Sequence, residues 1–229
     1  MLKIVLVPIN RAGWPFIGLF AAASVAMAYV AQPLGLIGAI LTLWCVYFFR
    51  DPERVTPNRR RLIVSPADGV VQLVDAAVPP PELEMGNESR PRVAIFMNVF
   101  NVHVNRSPCN GTITKSVYRK GKFFNASLDK ASELNERQCL RMAMSDQEGD
   151  IAFVQIAGLV ARRILCHVAE GQVLRAGERF GLIRFGSRVD VYLPEGAAPL
   201  LAKGQISVAG ETVIADLRSR DSAPDGEVH

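Results

Sequence analysis

The sequence predicts an α+β fold that is mainly β, with a hydrophobic helical hairpin at its N-terminus. Three observations carry this. From Ala12 to Phe49 no side chain is charged. Beyond about residue 62 the chain breaks into short β-branched runs bounded by turn residues, the pattern of strands joined by tight turns. Glycines then recur between single apolar residues at Gly171, Gly177 and Gly181. The chain has 229 residues, 49% hydrophobic and 21% charged. That leaves ample length for one packed core once the apolar run is set aside, and it is not a disordered composition.

The uncharged run is too long for one helix across a hydrocarbon core, which takes about 20 residues. Gln32-Pro33-Leu34-Gly35 interrupts it, and Pro and Gly punctuate helices. Two short helices, 14–31 and 34–49, are expected to form a hairpin within a membrane-anchoring segment 1–50. Lys3 and Arg11 precede the run, and Arg50, Arg54, Arg59, Arg60 and Arg61 follow it. Basic flanks favour both ends on the cytoplasmic side. Trp14, Trp44 and Tyr47 lie near the helix ends, where amphipathic rings suit the interface. The net charge is +4, the pI about 9.0 and the mean hydropathy +0.18. Much of the charge excess sits in the arginine collar, and the apolar run raises the hydropathy. The collar also suits anionic headgroups. No recognisable nucleic-acid module accompanies it, so no nucleic-acid partner is expected. Two alternatives remain open. Ala26-Met27-Ala28 resembles a signal-peptidase site, although the second apolar stretch and the basic cluster argue against cleavage. A hairpin dipping into one leaflet also fits, because each helix is only marginally long enough to span.

Residues 51–218 are expected to form the β-rich domain. Leu62–Val64, Gly69–Val74, Val93–Met97, Gly111–Tyr118, Ile151–Ala157, Ile164–Val168 and Val189–Leu193 read as strands. Pro79-Pro80-Pro81 through Arg90-Pro91 reads as a surface loop. The polar stretch 127–142, with scattered Leu and Met, reads as a short helix or a loop. The glycine rhythm from Glu170 to Gly181 resembles the barrel-sandwich of biotinyl and lipoyl carrier domains, which gives a barrel-sandwich-like β core. No Met-Lys pair for modification accompanies it, so the likeness is one of fold and not of chemistry. Residues 219–229 read as a flexible polar tail.

Cys45, Cys109, Cys139 and Cys166 form no CxxC pair, and the chain has only three histidines. Neither a metal site nor a disulfide framework is expected.

Three candidates for chemistry stand out. Gly186-Ser187 lies between two strand-like segments, 180–185 and 188–193. A hydroxyl there is placed to attack the preceding carbonyl, and glycine tolerates the backbone distortion that an internal acyl shift requires. His103 lies in Phe100-Asn101-Val102-His103-Val104, where alternation puts it on one face with Asn101. A histidine titrating near neutrality is the natural proton carrier. Asp68, in Ser65-Pro66-Ala67-Asp68-Gly69, reads either as a turn residue or as a carboxylate orienting a histidine. His167 reads as structural, and His229 is terminal.

Five segments together resemble the phosphatidylserine decarboxylase proenzymes of the short bacterial type: Phe48-Phe49-Arg50-Asp51-Pro52, Ser65-Pro66-Ala67-Asp68-Gly69, Asn101-Val102-His103-Val104-Asn105-Arg106, Cys109-Asn110-Gly111 and Gly181-Leu182-Ile183-Arg184-Phe185-Gly186-Ser187. They occur in the family's order and span about residues 10 to 215. Each is weak, and jointly they are specific. Longer family members carry two histidines three apart. Here the first aligns with His103, while the second position holds Arg106, so one histidine is left for self-cleavage and for turnover.

The resemblance implies self-cleavage between Gly186 and Ser187, with Ser187 becoming a pyruvoyl cofactor, His103 acting as base and Asp68 orienting it. It implies an α chain beginning at position 187 and a β chain ending at 186, with 51–218 as the catalytic domain. The implied reaction converts phosphatidylserine in the bilayer to phosphatidylethanolamine and CO2 at the cytoplasmic side of the cell inner membrane. Arg106 and Arg188 are the basic residues expected to hold the headgroup, and a homodimer is the default assembly. Two rivals fit less of the sequence. A membrane-anchored adaptor explains the hairpin and the glycines but not Asp68, His103 and Ser187. A serine hydrolase lacks the G-x-S-x-G pattern around its nucleophile.

Overall fold

The computed structural model describes residues 7–124, 126, 134–145, 149–159, 163–184 and 186–219. Lys3, Phe185, His229, residues 127–133 of the polar stretch and nearly all of the tail lie outside them. Contacts divide the chain into two units, Met1–Glu53 with Phe100–Val102, and Arg54–Val99 with His103–His229.

In the first unit a 3₁₀ turn, Arg11–Gly13, leads into α1 (Trp14–Val30), followed by α2 (Gln32–Phe48). The break falls at Ala31, which is extended (φ −159°, ψ 132°), and not within the Gln32–Gly35 segment that the sequence suggested. Pro33 stands in the first turn of α2, where a missing N–H costs nothing and a fixed φ is already helical. Gly35 and Gly38 let the helices approach closely. A Cβ on Gly35 would lie 2.4 Å from the Ala28 Cβ, and one on Gly38 would lie 2.7 Å from the Ser24 Cα. Small residues at such crossings are the usual device where apolar surroundings supply no drive for association. Ser24 Oγ donates to the Gly35 carbonyl at 2.9 Å. The outward positions stay apolar, with Leu19, Val25, Tyr29, Leu36, Ile37, Ile40 and Leu43 all exposed. Arg11–Val30 is long and apolar enough to cross a membrane, and Gln32–Phe48 is shorter.

The second unit is built from antiparallel strands. Those of the main sheet are β2 (Gly69–Ala77), β3 (Arg90–Met97), β5 (Gly111–Arg119), β6 (Arg137–Met144), β7 (Asp150–Ala157), β9 (Val173–Leu174), β11 (Ser187–Tyr192) and β12 (Ile206–Ser207), in the order β12-β2-β3-β11-β7-β6-β5-β9. A three-stranded sheet orders β4 (Val104–Arg106), β10 (Arg179–Ile183) and β8 (Ile164–Cys166) as β4-β10-β8, and β1 (Leu62–Val64) pairs with β13 (Val213–Asp216). The fold is therefore α+β and mainly β, as the turn-punctuated sequence predicts.

Two expectations change. Residues 137–142, expected in a short helix or loop over 127–142, belong to β6, between β5 and β7. The strand pattern is disguised because both faces of the sheet are covered. Leu140 and Met142 join the main core, while Cys139 joins a second cluster with Leu83, Val154 and Tyr192 on the opposite face. The polar residues of β6 are paired instead of solvated. Arg137 donates to Glu82 at 2.7 Å, and Arg141 to Asp150 at 2.5 Å. The segment read as a surface loop supplies this cover. Pro81–Leu83 forms a 3₁₀ turn whose Leu83 is fully buried, and Arg90 and Pro91 already belong to β3.

Candidate active site

Ser187 opens β11, the strand held between β3 and β7, and every residue of β11 is buried. It pairs with Met97 on β3 and with Ala157 on β7. Strand alternation sends Ser187 to the same face as Val189 and Val191, which line the main core. Its Oγ is buried and finds no hydrogen-bond partner among the described residues. A buried hydroxyl without a partner costs roughly 1–3 kcal/mol, which marks the position as one the fold does not choose for stability.

Gly186 precedes it with φ +74°, a left-handed conformation that glycine alone adopts without strain. The residue is held from two sides. Its N–H donates to Nε2 of His103 at 3.2 Å, and its carbonyl accepts from the N–H of Gly158 at 3.1 Å. Because Nε2 accepts here, the ring is assigned as the neutral tautomer with its proton on Nδ1. His103 is fully buried. It stands just before β4, not within a strand, and its own carbonyl accepts from Ile183 N–H at 3.2 Å. Val102, Val104, Asn105 and Arg106 are buried alongside it, so the two-face alternation expected of this segment does not decide its environment.

Asp68 accepts from Arg54 and from Ala209. Arg54 Nη2 reaches Oδ2 at 2.7 Å and Ala209 N–H reaches Oδ1 at 2.8 Å. The turn that carries it runs beside β4, since the Pro66 carbonyl accepts from Arg106 N–H at 2.9 Å. Asp68 and His103 thus come from neighbouring backbone segments.

The two arginines expected at the headgroup sit differently. Arg106 is buried and donates through Nη1 to the Gly177 carbonyl at 2.8 Å. Arg188 is fully buried on the face of β11 opposite Ser187. Its guanidinium grips Asp190 through Nε at 2.7 Å and Nη2 at 2.9 Å, the bidentate geometry of a strong charged pair. Near the site, burial and then the charge of Arg163 lower the Arg184 pKa. Their backbones are joined by a 3.2 Å bond from Arg184 N–H to the Arg163 carbonyl.

The sequence reading missed Gly158, and it also missed a buried amide pair. Gln155 Nε2 donates to Asn105 Oδ1 at 2.8 Å, with both side chains fully buried. The one signal for Gly158 was a glycine directly after the strand run 151–157, a mark of close backbone approach. Nothing in the local pattern announces Asn105 and Gln155, which meet across 50 residues.

A buried serine, a left-handed glycine and a histidine thus meet at one peptide bond. The phosphatidylserine decarboxylase family profile matches residues 41–215. The chain belongs to the phosphatidylserine decarboxylase family. Among the relatives of this decarboxylase-family chain is the phosphatidylserine decarboxylase proenzyme of Paramagnetospirillum magneticum, 61% identical over 96% of this chain and 92% of the relative. The proenzyme of Cereibacter sphaeroides is 57% identical over 99% and 97% respectively. That of Ruegeria pomeroyi is 58% identical over 92% and 96%. Membership makes the chain one of a family of decarboxylases and agrees with the order of motifs along the sequence.

Proposed function

We propose that this chain is the proenzyme of a pyruvoyl-dependent phosphatidylserine decarboxylase, which cuts itself between Gly186 and Ser187 and then converts phosphatidylserine to phosphatidylethanolamine and CO2. The observation that carries the reading is the 3.2 Å contact of His103 Nε2 with Gly186 N–H, directly beside the buried Ser187 hydroxyl, which has no hydrogen-bond partner among the described residues. A neutral ring nitrogen at the neighbouring peptide N–H becomes the general base once it exchanges that N–H for the hydroxyl, and the left-handed Gly186 gives the peptide unit the backbone freedom that the acyl shift requires.

In this reading His103 takes the Ser187 proton as Oγ bonds to the Gly186 carbonyl carbon. The bond from that carbon to the Ser187 nitrogen then breaks, and the proton passes to the nitrogen. The result is an ester between Gly186 and the Ser187 side chain. Removal of the Ser187 α-proton expels the Gly186 carboxylate and leaves dehydroalanine at position 187. Water then replaces the nitrogen, releasing ammonia. The β chain ends at Gly186, and the α chain begins with the pyruvoyl group. The residues fit this cofactor because its precursor hydroxyl is already buried and unengaged at the head of β11.

The pyruvoyl group supplies an electrophilic ketone that takes the substrate amine and draws off the electron pair released with CO2, chemistry beyond ordinary side chains. His103 returns the proton that replaces the lost carboxylate, which gives one histidine both tasks. Asp68, anchored by Arg54 and Ala209, keeps that ring oriented. Arg106 and Arg188 are the proposed holders of the anionic headgroup, and contact through either competes with acceptors that include the Gly177 carbonyl for Arg106, and Asp190 and the Ala126 carbonyl for Arg188.

Residues 1–50 act as the anchor, 51–218 as the catalytic domain and 219–229 as a tail. The substrate is a bilayer lipid. The apolar helix Arg11–Val30 and the arginine collar support attachment to the cell inner membrane with the catalytic domain on the cytoplasmic side. A homodimer is the simplest closed assembly.

The test is release of CO2 from phosphatidylserine in detergent micelles by the purified protein. Ser187→Ala is expected to abolish release and leave the chain uncut. Equal decarboxylation by wild type and Ser187→Ala overturns the reading.

A further inference from the structure

We propose that the backbone N–H of Gly158 is the oxyanion donor of the self-cleavage step, an inference that rests on the self-cleavage reading above. The register of the sheet builds this contact. Ser187 pairs with Ala157 in an antiparallel ladder, so one residue further on each strand brings Gly158 opposite Gly186. There the Gly158 N–H meets the Gly186 carbonyl oxygen at 3.1 Å.

Two features set this bond apart from an ordinary ladder bond. Its acceptor belongs to a residue outside β11, with φ +74°, so the carbonyl is released from regular strand geometry while its partner stays fixed to β7. The approach is also too close for any other residue. A Cβ on Gly158 would lie 2.5 Å from the Gly186 oxygen and 3.1 Å from its carbonyl carbon. A side chain at 158 would therefore press on the two atoms that change geometry when the serine attacks.

The chemistry needs a donor at this point. As Ser187 Oγ bonds to the Gly186 carbon and its proton moves to His103, the carbonyl electron pair moves onto the oxygen. A fixed N–H aimed at that oxygen in a water-excluded site stabilises the charge without reorganising. When the intermediate collapses, the pair returns to the carbonyl, and the carbon–nitrogen bond breaks with the proton passing to nitrogen. Gly158 and His103 thus divide the work, one on the oxygen and one on the protons. Elimination of the ester afterwards first develops charge on the Ser187 carbonyl oxygen as its α-proton leaves, and the Gly186 oxygen shares charge only as the carboxylate departs, so Gly158 is assigned to the acyl shift.

The experiment follows full-length chain made by cell-free translation into lipid nanodiscs, with cleavage timed on denaturing gels. Glycolic acid in place of Gly158 removes the N–H and adds no atom. Cleavage of that variant is expected to be about a hundredfold slower, with no hydroxylamine-sensitive ester accumulating after Gly186; the backbone ester that glycolate itself introduces after Ala157 is told apart by the size of its fragments. Gly158→Ala is expected to be at least as slow, through displacement of the same carbonyl. Wild-type cleavage by the glycolate variant overturns the assignment, and so does accumulation of the ester, because the N–H would then act after the shift. A wild-type chain that stays whole under the same conditions instead sinks the self-cleavage reading itself, so the two failures are distinct.

Discussion

The Nε2 atom of His103 and the amide nitrogen of Gly186 lie 3.2 Å apart, joined across 83 residues of sequence. This contact ties a fully buried histidine to the peptide unit beside Ser187. It makes His103 the side chain whose loss should be felt first. His103→Gln is expected to slow self-cleavage by roughly 10²–10⁴-fold, the usual worth of a positioned general base. Asp68→Asn should slow it less, because the amide oxygen can still accept from Ala209 N–H although the amide nitrogen cannot accept from Arg54. Timed denaturing gels of freshly made chain measure both. Cleavage of His103→Gln at the wild-type rate would remove His103 from the mechanism.

The pair Glu82–Arg137 caps the outer face of the sheet, with each side chain 8% exposed. Burial alone would raise the Glu82 pKa, but the Arg137 hydrogen bond and charge lower it overall. Glu82→Ala leaves Arg137 buried without its carboxylate. The expected cost is about 3–5 kcal/mol, read as a lower urea midpoint, with cleavage at Gly186 preserved in the molecules that remain folded. A change under 1 kcal/mol would mean that the Arg137 head reaches water.

Alkaline pH should destabilise the fold. Burial, then the charge of Glu82, pushes the Cys139 thiol well up. Burial, then Asp190, pushes Tyr192 up to about 12. Both groups are neutral in the fold and keep protons that the unfolded chain releases above about 8.5 for Cys and about 10 for Tyr. Above those values the folded state binds more protons, so stability falls as pH rises. The contribution is complete below the unfolded values and is lost progressively toward the folded ones. Urea midpoints between pH 8 and 10.5 should decline, and Tyr192→Phe should flatten the upper part. A flat profile in the wild type would contradict the burial of these groups.

In the hairpin, the fit of Gly35 and Gly38 against Ala28 and Ser24 leaves no room for a side chain. Gly35→Val should force α1 and α2 apart. The distance between spin labels at the exposed Val25 and Leu36 should then be longer in the Gly35→Val chain than in the wild-type chain. Equal distances would show that the helices do not cross at these residues.

How much of this was legible in the sequence varies by element, for physical reasons. The hairpin was readable because an uncharged run with one break has few alternatives, and the error at Ala31 came from treating Pro33 as a terminator when it serves as an opener. β7 announced itself as a nearly continuous apolar run, as strands covered on both faces do, and β11 as the alternation Val189-Asp190-Val191. β6 did not, because Arg137 and Arg141 reside inside it only by virtue of Glu82 and Asp150, far off in sequence or across a turn. At the site, Ser187, His103 and Asp68 were visible as residues of the right chemistry. Gly158 was not, since its part depends on a register between β7 and β11 that local pattern does not reveal.

The most direct measurement of the central claim is the intact mass of the purified protein under denaturing conditions, with and without a carbonyl-directed hydrazide. Two fragments are expected, divided after Gly186. The smaller should be lighter by one ammonia than a peptide beginning with Ser187, and it alone should take up the hydrazide. A single 25.0 kDa chain from protein that decarboxylates phosphatidylserine, or a small fragment that keeps an N-terminal serine, would contradict the account.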